Sequence, residues 1–307
     1  MPDDPGDAVR ARWGLPGALV LPLGGGMNSR TWVVEATAPC GRVGRWAAKQ
    51  VAPELRASFL RGLRAARLVE GAGLRAGVPR RTVDGADHAD LPEGPLALLR
   101  WVDGAPLDGD DEDAPALMGA TLGAAHRVLR GVDDGSAARF PPWPELEGPH
   151  LDVEPWVRPA VDDALAACRA LLDDGRAQLE VGLLHADPAP DAFLRPVVAG
   201  GACGLIDWSS AAHGPLLYDV ASAVMYVGGL ERGRALVAAY AAALAPASGP
   251  AADALLPRVE VLLRLRQAVQ AAYFAQHLAR DDRTGVDGPE GNLEGLHDAR
   301  DFFAART

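Results

Sequence analysis

The sequence predicts an α+β protein with two lobes, a small β-rich N-terminal lobe and a larger, mainly helical C-terminal lobe. Short apolar runs bounded by turn residues dominate the first hundred residues, whereas apolar residues at spacings of three and four dominate the rest. The length of 307 residues suits about two domains at roughly 100–200 residues each. We place the boundary before DGAPLDGDDEDAP, which predicts domains 1–102 and 103–307.

The N-terminal lobe is predicted to be an antiparallel sheet with one helix. The helix is expected from Pro53 to about Ala72, since Phe59, Leu63 and Ala66 recur at helical spacing and Pro53 suits a first turn. The predicted strands are Leu19–Leu23, Thr31–Ala36, Trp46–Val51 and Pro95–Val102.

The C-terminal lobe is rich in alanine, the residue with the best intrinsic helix propensity. Residues 131–156 and 281–295 are expected to be loops, because they concentrate Pro, Gly and Asp. The predicted helices are Ala116–Leu129, Val157–Leu172, Tyr218–Val227, Gly233–Leu244 and Leu255–Ala279.

Composition excludes several classes of protein. The net charge of -11 argues against a nucleic-acid partner held by bulk charge, but permits a cationic small molecule. The three cysteines are far apart, which supports neither a disulfide framework nor a zinc site. The N-terminal stretch has no apolar core and no run approaches the ~18 residues of a membrane span, so we expect a cytoplasmic protein without a membrane partner.

Two segments of the N-terminal lobe have the residue types that bind phosphates. Gly24, Gly25 and Gly26 begin the turn GGGMNS, in which exposed N–H groups could bind an anion; an ordinary hairpin loop is the alternative. Lys49 lies inside the apolar strand WAAKQV, where it either contacts phosphates or extends its ammonium group to the solvent.

Two segments of the C-terminal lobe place carboxylates at the ends of apolar runs. In LLHADPAPDAFL, Asp187 could accept a proton from a hydroxyl and Asp191 could bind a metal ion, although an Asp/Pro turn has the same composition. In CGLIDWSSA, Asp207 ends a short buried strand and is either a Mg²⁺ ligand or a helix cap.

Taken in this order, the segments resemble the aminoglycoside phosphotransferase superfamily, which also includes choline-kinase-like enzymes and has a protein-kinase-like fold. The likeness covers nearly the whole chain, including a hinge-like LLRWVDGAPL and a later GPLLYDVASAV. It implies that ATP or GTP and Mg²⁺ are required and that the acceptor is a small hydroxylated molecule. It implies a catalytic role for Asp187, metal binding by Asp207, and nucleotide binding by the turn residues (Gly24, Gly25, Gly26, Asn28 and Ser29), by Lys49 and by the backbone of Leu99, Arg100, Trp101 and Val102.

The sequence departs from the family pattern at two places. Ala192 occupies the position of a metal-binding asparagine, so Asp191 beside it is predicted to serve instead. The family also pairs the strand lysine with a glutamate. Glu70 lies on the apolar stripe of its helix, where a carboxylate needs a partner, and is therefore predicted to pair with Lys49 as part of the nucleotide-binding site.

Three functions are compatible with this sequence. The first is a phosphotransferase for a small hydroxylated acceptor, such as an aminoglycoside-, choline- or homoserine-like molecule. The second is a kinase for Ser or Thr of a ribosomally made precursor peptide. The third is a pseudokinase that binds a partner protein in a pathway, which Ala192 makes conceivable. A fold alone does not choose among them.

Overall fold

A computed structural model of the protein describes residues 5–24, 29–37, 43–133, 135, 140–174, 179–196, 202–244, 251–282 and 290–305. They form two compact units, the first of Met1–Ala105 with Leu194–Ala211 and the second of Pro106–Phe193 with Ala212–Thr307. The domain prediction, 1–102 and 103–307, placed a single boundary and did not include the return of Leu194–Ala211 to the first unit.

The first unit is built around a five-stranded antiparallel sheet, in which the strands Leu19–Leu23 (β1), Ser29–Thr37 (β2), Val43–Val51 (β3), Gly94–Arg100 (β5) and Ala89–Leu91 (β4) are neighbours in this order. The four predicted strands and the predicted helix are confirmed, while an N-terminal helix and the short strand β4 were not predicted. The bounds are α1 Gly6–Trp13, β1 Leu19–Leu23, β2 Ser29–Thr37, β3 Val43–Val51, α2 Arg56–Gly71, β4 Ala89–Leu91, β5 Gly94–Arg100 and β9 Gly204–Leu205.

The two faces of this sheet are covered differently. On one face, Trp32 and Val34 pack with Val9 and Trp13 of α1. On the other face, Phe59 and Leu63 of α2 pack against Val51 and Ala97, next to Lys49. Helix α2 covers only the β3–β5 side of that face, and the alternate leucines of β1 remain exposed, namely Leu19, Leu21 and Leu23.

The second unit is mainly helical, as predicted. Its two short strands β7 (Val181–Leu184) and β10 (Ala212–Pro215) pair antiparallel. The five predicted helices are all present, and the bounds of the helices are α3 Ala114–Leu129, α4 Val157–Asp173, α5 Leu217–Tyr226, α6 Leu230–Leu244, α7 Ala252–Arg280 and α8 Gly291–Ala304. The remaining strands, β6 (Ala105–Pro106) and β8 (Phe193–Arg195), lie where the chain passes between units.

One loop prediction is partly wrong. Residues 291–295 were expected to be loop, but they form the first turns of α8. The helix is stabilised by burial of Leu296 and Ala299, which lie beyond the segment that suggested a loop. Within the described part of 131–156, the predicted loop contains only short 3₁₀ turns. Of the helices that the structure describes, none has both the length and the apolar character required to cross a bilayer.

Candidate active site

An apolar strip crosses the open part of the first unit's sheet. Leu21 pairs with Val33, Val33 with Ala47 and Ala47 with Leu99, so these four side chains lie in one row on the same face. Leu21 is exposed and the other three are half-buried. Lys49 follows Ala47 by two residues on β3 and therefore points to the same face.

Lys49 forms an ion pair with Asp207 at the edge of this strip. The Lys49 Nζ lies 2.5 Å from Asp207 Oδ1, and Ser209 Oγ donates a hydrogen bond of 2.6 Å to the same oxygen. The lysine side chain is 9% exposed, whereas that of Asp207 is 45% exposed. Lys49 is also the only lysine in the sequence. A buried ammonium requires a partner, and the carboxylate of Asp207 supplies it while still facing solvent.

Helix α2 holds the segment that carries Asp207. A Cβ on Gly62 would lie 1.8 Å from the carbonyl oxygen of Trp208, so only glycine permits this close approach of helix and segment. Arg61 Nη1 donates a hydrogen bond of 2.8 Å to Ala211 O. Asp207 itself has a left-handed backbone with φ of 63°. These contacts hold the backbone of the segment that follows Asp207 against α2.

The predicted pair between Lys49 and Glu70 is wrong. The carboxylate of Glu70 lies 2.6 Å from Arg100 Nη1 and also accepts hydrogen bonds from the N–H groups of Ala76 and Val78. Glu70 is near the C-terminal end of α2, where the following loop offers these donors and β5 offers the guanidinium group. Its side chain does need a partner, as predicted, but Arg100 is that partner. A role for Glu70 in nucleotide binding stays a prediction.

The other predicted nucleotide-binding residues are only partly described. Gly25, Gly26 and Asn28 lie outside the described residues, while Gly24 follows β1 and Ser29 begins β2.

The predicted base-binding segment Leu99–Val102 begins at Leu99, the last residue of the apolar strip. Arg100 N donates a hydrogen bond of 3.0 Å to Val78 O, and the guanidinium of Arg45 stacks 3.8 Å from the ring centroid of Trp101. Contact of this segment with a nucleotide base stays a prediction.

In the second unit, the backbone before Asp187 is fixed by a buried carboxylate that the sequence reasoning did not single out. Asp219 is fully buried and accepts hydrogen bonds from the N–H groups of His185, at 2.7 Å, and Ala186, at 2.8 Å. Its Oδ2 also shares a hydrogen bond of 3.0 Å with His126 Nε2. Ala186 has a positive φ of 71°, an unusual conformation for a residue with a Cβ. The signal for Asp219 was its position in the apolar stretch GPLLYDVASAV, where a carboxylate must be paired.

The side chain of Asp187 is held by two further residues that were not predicted. Tyr226 donates a hydrogen bond of 2.6 Å to Asp187 Oδ1, and Arg266 Nη2 donates one of 3.1 Å to the same oxygen. Burial raises the pKa of Tyr226, so its hydroxyl keeps its proton and acts as a donor. The signal for Arg266 was an arginine inside the apolar stretch VLLRLRQAV.

Asp191 and Ala192 occupy one 3₁₀ turn, Pro190–Ala192, with opposite environments. Asp191 is exposed, whereas Ala192 is buried at 4% exposure. Within the described ranges, no three His, Cys, Asp or Glu residues come together as a metal site. Proteins commonly bind Mg²⁺ through one or two carboxylates together with substrate phosphates. Metal binding by Asp191 and Asp207 stays a prediction.

Comparisons with solved structures show the fold. The chain is 16% identical to an amicoumacin kinase hAmiN solved in complex with AMP-PNP, Ca²⁺ and Ami, with a TM-score of 0.71 over 98% of this chain and 92% of that one. It is 17% identical to a microcompartment-associated aminopropanol kinase, with a TM-score of 0.71 over 96% and 93% of the two chains. It is 19% identical to a choline/ethanolamine kinase family protein from Mesorhizobium loti, with a TM-score of 0.67 over 99% and 95%. The predicted kinase-like fold is confirmed.

Comparison with sequences identifies the family. No curated protein matches the sequence significantly. The model of the phosphotransferase enzyme family, APH, matches residues 20–256, a range that includes Lys49, Asp187 and Asp207. The chain therefore belongs to the phosphotransferase enzyme family.

Proposed function

We propose that this phosphotransferase moves the γ-phosphate of ATP or GTP to a hydroxyl group of a small, amine-bearing molecule. The main support for nucleotide binding is the ion pair between Lys49 and Asp207, whose Nζ and Oδ1 atoms lie 2.5 Å apart. An ammonium group and a half-exposed carboxylate, side by side at the edge of an apolar strip, are the groups that a nucleoside triphosphate with its metal ion requires.

The apolar strip is suited to a nucleotide base. Leu21, Val33, Ala47 and Leu99 present a continuous hydrophobic row, which favours the flat face of a purine. Lys49, two residues along β3, would then hold the α- and β-phosphates. The turn that begins at Gly24 would cover the phosphates with its N–H groups.

Asp207 is the principal residue proposed to hold Mg²⁺, with Asp191 as a second ligand. When bound, the ion neutralises charge on the β- and γ-phosphate oxygens. Asp207 fits this role because its carboxylate already accepts an ammonium group and a hydroxyl in the structure, so it is arranged to receive cationic and polar groups.

Asp187 is proposed to receive the proton of the acceptor. The hydroxyl oxygen forms a bond to the γ-phosphorus while the bond from that phosphorus to the β–γ bridging oxygen breaks. The electron pair of the broken bond leaves with the nucleoside diphosphate, and the hydroxyl proton passes to the carboxylate of Asp187. Asp187 is 47% exposed, which leaves it accessible to an acceptor.

Amino alcohols and amino sugars are the first acceptors to test. Two of the similar structures are named as kinases of aminopropanol and of choline or ethanolamine. The net charge of -11 favours the approach of a cation. A precursor peptide is the alternative acceptor, and a screen that contains both classes separates them.

The decisive experiment combines binding and turnover. Thermal unfolding should shift upward with Mg²⁺ and ATP or GTP, because a ligand at 100 times its Kd stabilises the folded state by about 2.7 kcal/mol. Asp207→Ala should lose the Mg²⁺-dependent part of this shift. Phosphorus NMR of a panel of amino alcohols, amino sugars and Ser/Thr peptides should then show one class phosphorylated. Nucleotide binding without transfer to any acceptor would instead indicate a pseudokinase.

The single lysine offers an independent test of the nucleotide site. An adenosine derivative with a reactive sulfonyl fluoride at its 5′ end should modify Lys49, and Mg²⁺ with ATP should protect this residue. Peptide mass spectrometry assigns a labelled lysine to Lys49 without ambiguity, because the sequence contains no second lysine. Adenosine, which lacks the phosphates, is the control competitor and should protect less. Labelling elsewhere, with Lys49 unmodified, would contradict the proposed site.

A further inference from the structure

Arg266 is a buried cation in the middle of α7. Its side chain is 10% exposed, and its neighbours in the helix, Leu263, Leu265 and Ala268, are fully buried. A guanidinium group in such surroundings is unfavourable unless its charge is paired and its donors are used. Its partners therefore indicate why it is there.

Those partners converge on the proposed catalytic carboxylate. Arg266 Nη2 donates to Asp187 Oδ1 at 3.1 Å and to the Tyr226 hydroxyl at 3.0 Å, while Nε donates to Ser222 Oγ at 3.0 Å. The guanidinium carbon also lies 5.5 Å from the centroid of the Tyr226 ring. Tyr226 and Ser222 both belong to α5, so the arginine joins two helices to the loop of Asp187.

The two oxygens of the Asp187 carboxylate are used differently. Oδ1 accepts both hydrogen bonds, from the hydroxyl of Tyr226 at 2.6 Å and from Arg266. Among the described residues, the hydrogen bonds of these two donors to Asp187 all go to Oδ1 and none goes to Oδ2. With one oxygen held at two points, rotation of the carboxylate is restricted and Oδ2 keeps one direction.

We propose that Arg266 is a positioning residue for phosphoryl transfer: together with Tyr226 it holds Oδ1 of Asp187, so that Oδ2 alone is presented to the acceptor hydroxyl. This inference rests on the proposed function of Asp187. Phosphoryl transfer depends mainly on positioning and on charge stabilisation, since the bond to the leaving group is largely broken in the transition state. Arg266 therefore contributes by fixing the carboxylate, so that one oxygen of Asp187 orients the acceptor hydroxyl.

Steady-state kinetics test the proposal against a structural role. Arg266→Met fills a similar volume and should lower kcat about 10- to 100-fold, the size of effect expected from a misplaced catalytic group, while the acceptor KM changes little. Arg266→Lys should recover part of the lost kcat, because one ammonium donor can still reach Oδ1. Tyr226→Phe removes the second donor with minimal change of shape and should lower kcat in the same way.

Arg264 provides the matched control. It lies two residues away on the same helix, its side chain is 43% exposed, and it pairs only loosely with Asp163 at 3.7 Å. Arg264→Met should leave kcat and KM unchanged. An Arg266→Met variant with wild-type kcat, or one that is equally impaired in thermal stability and in acceptor KM without a specific loss of kcat, would overturn the proposal.

A crystal structure of Arg266→Met gives a second readout that does not require turnover. The Asp187 carboxylate should be rotated or disordered compared with the wild type, with the loop backbone still bound to Asp219. An unchanged carboxylate would refute the positioning role. Absence of transfer in the wild-type enzyme would refute the proposed function, and the crystallographic result would still decide whether Arg266 orients Asp187.

Discussion

The carboxylate of Asp187 is nearly half exposed although the buried Arg266 and the half-buried Tyr226 bind one of its oxygens. Asp187→Asn is almost isosteric and keeps an oxygen for these donors, but the amide cannot take the proton of the substrate hydroxyl. We expect turnover to fall by about 10²- to 10⁴-fold. Binding of nucleotide with Mg²⁺, measured by calorimetry, should be unchanged. Near-wild-type turnover would show that the catalytic loop is assigned wrongly.

The prediction that Asp191 binds Mg²⁺ can be tested directly. Ala192 has no ligand atom and its side chain is buried, whereas the Asp191 carboxylate faces solvent one residue earlier. If Asp191 replaces the missing ligand, Asp191→Ala should raise the Mg²⁺ concentration needed for half-maximal activity several-fold. Asp298→Ala, at an exposed position on α8, is the control and should leave it unchanged.

A second substitution sharpens this test. Asp191→Ala combined with Ala192→Asn restores the pattern of the family and should recover part of the Mg²⁺ dependence, provided that the turn accommodates the larger side chain. Equal Mg²⁺ requirements in wild type and Asp191→Ala would exclude a role for Asp191.

The charged residues show which features of the candidate site could be predicted from the sequence. Lys49 and Asp207 were selected because a charge within or at the end of an apolar run needs a function or a partner, and the structure brings them together. The same reasoning selected Glu70 but gave it the wrong partner. Choosing between Lys49 and Arg100 requires the path of the loop after α2, which is set by tertiary contacts and not by helical spacing.

Among the elements, helix α2 has the most direct effect on the site, because it touches the Asp207 segment at Gly62. Gly62→Ala would place a methyl group 1.8 Å from Trp208 O, so helix and segment must separate. We expect a loss of about 1–3 kcal/mol in the free energy of unfolding, as for other overpacked sites. The Mg²⁺-dependent thermal shift with nucleotide should also decrease.

Gly71 on the same helix is the matched control for that substitution. A Cβ at Gly71 meets nothing within 4 Å. Gly71→Ala should therefore be neutral or stabilising by up to about 1 kcal/mol through helix propensity. Equal stability of the two variants in urea unfolding would show that the contact between α2 and the Asp207 segment is not tight.

The elements that the sequence failed to predict share a physical cause. In α1 the buried apolar side chains are few, Val9 and Trp13, and the rest of the helix is polar or small. Helix α8 begins directly after a stretch of Gly, Pro and Asp. Both helices depend on packing against other elements more than on their own periodicity, which makes their local signal weak.

At the scale of the whole molecule, the first unit is not continuous in sequence. Residues 1–105 lack the segment Leu194–Ala211, which carries Asp207 and contacts α2. We expect a fragment of residues 1–105 to be much less stable than the same fragment joined by a flexible linker to residues 194–211. Urea unfolding monitored by circular dichroism measures the difference.

Trp208 provides the control for this fragment experiment. Its side chain is 6% exposed and its carbonyl oxygen faces Gly62. Trp208→Ala in the joined fragment should remove most of the added stability. If residues 1–105 alone unfold at the same urea concentration as the joined fragment, the returning segment is not part of the first unit's stable core.

The discontinuity of the first unit also sets an order of events during synthesis. The ribosome must translate everything between Ala105 and Leu194 before the segment that completes the first unit exists. At about 5–20 residues per second, this interval is on the order of 5–20 s. During that time the surface of α2 around Gly62 emerges without its final partner, the segment that carries Trp208. The nascent chain therefore offers chaperones a defined binding period, which ends when Trp208 leaves the exit tunnel.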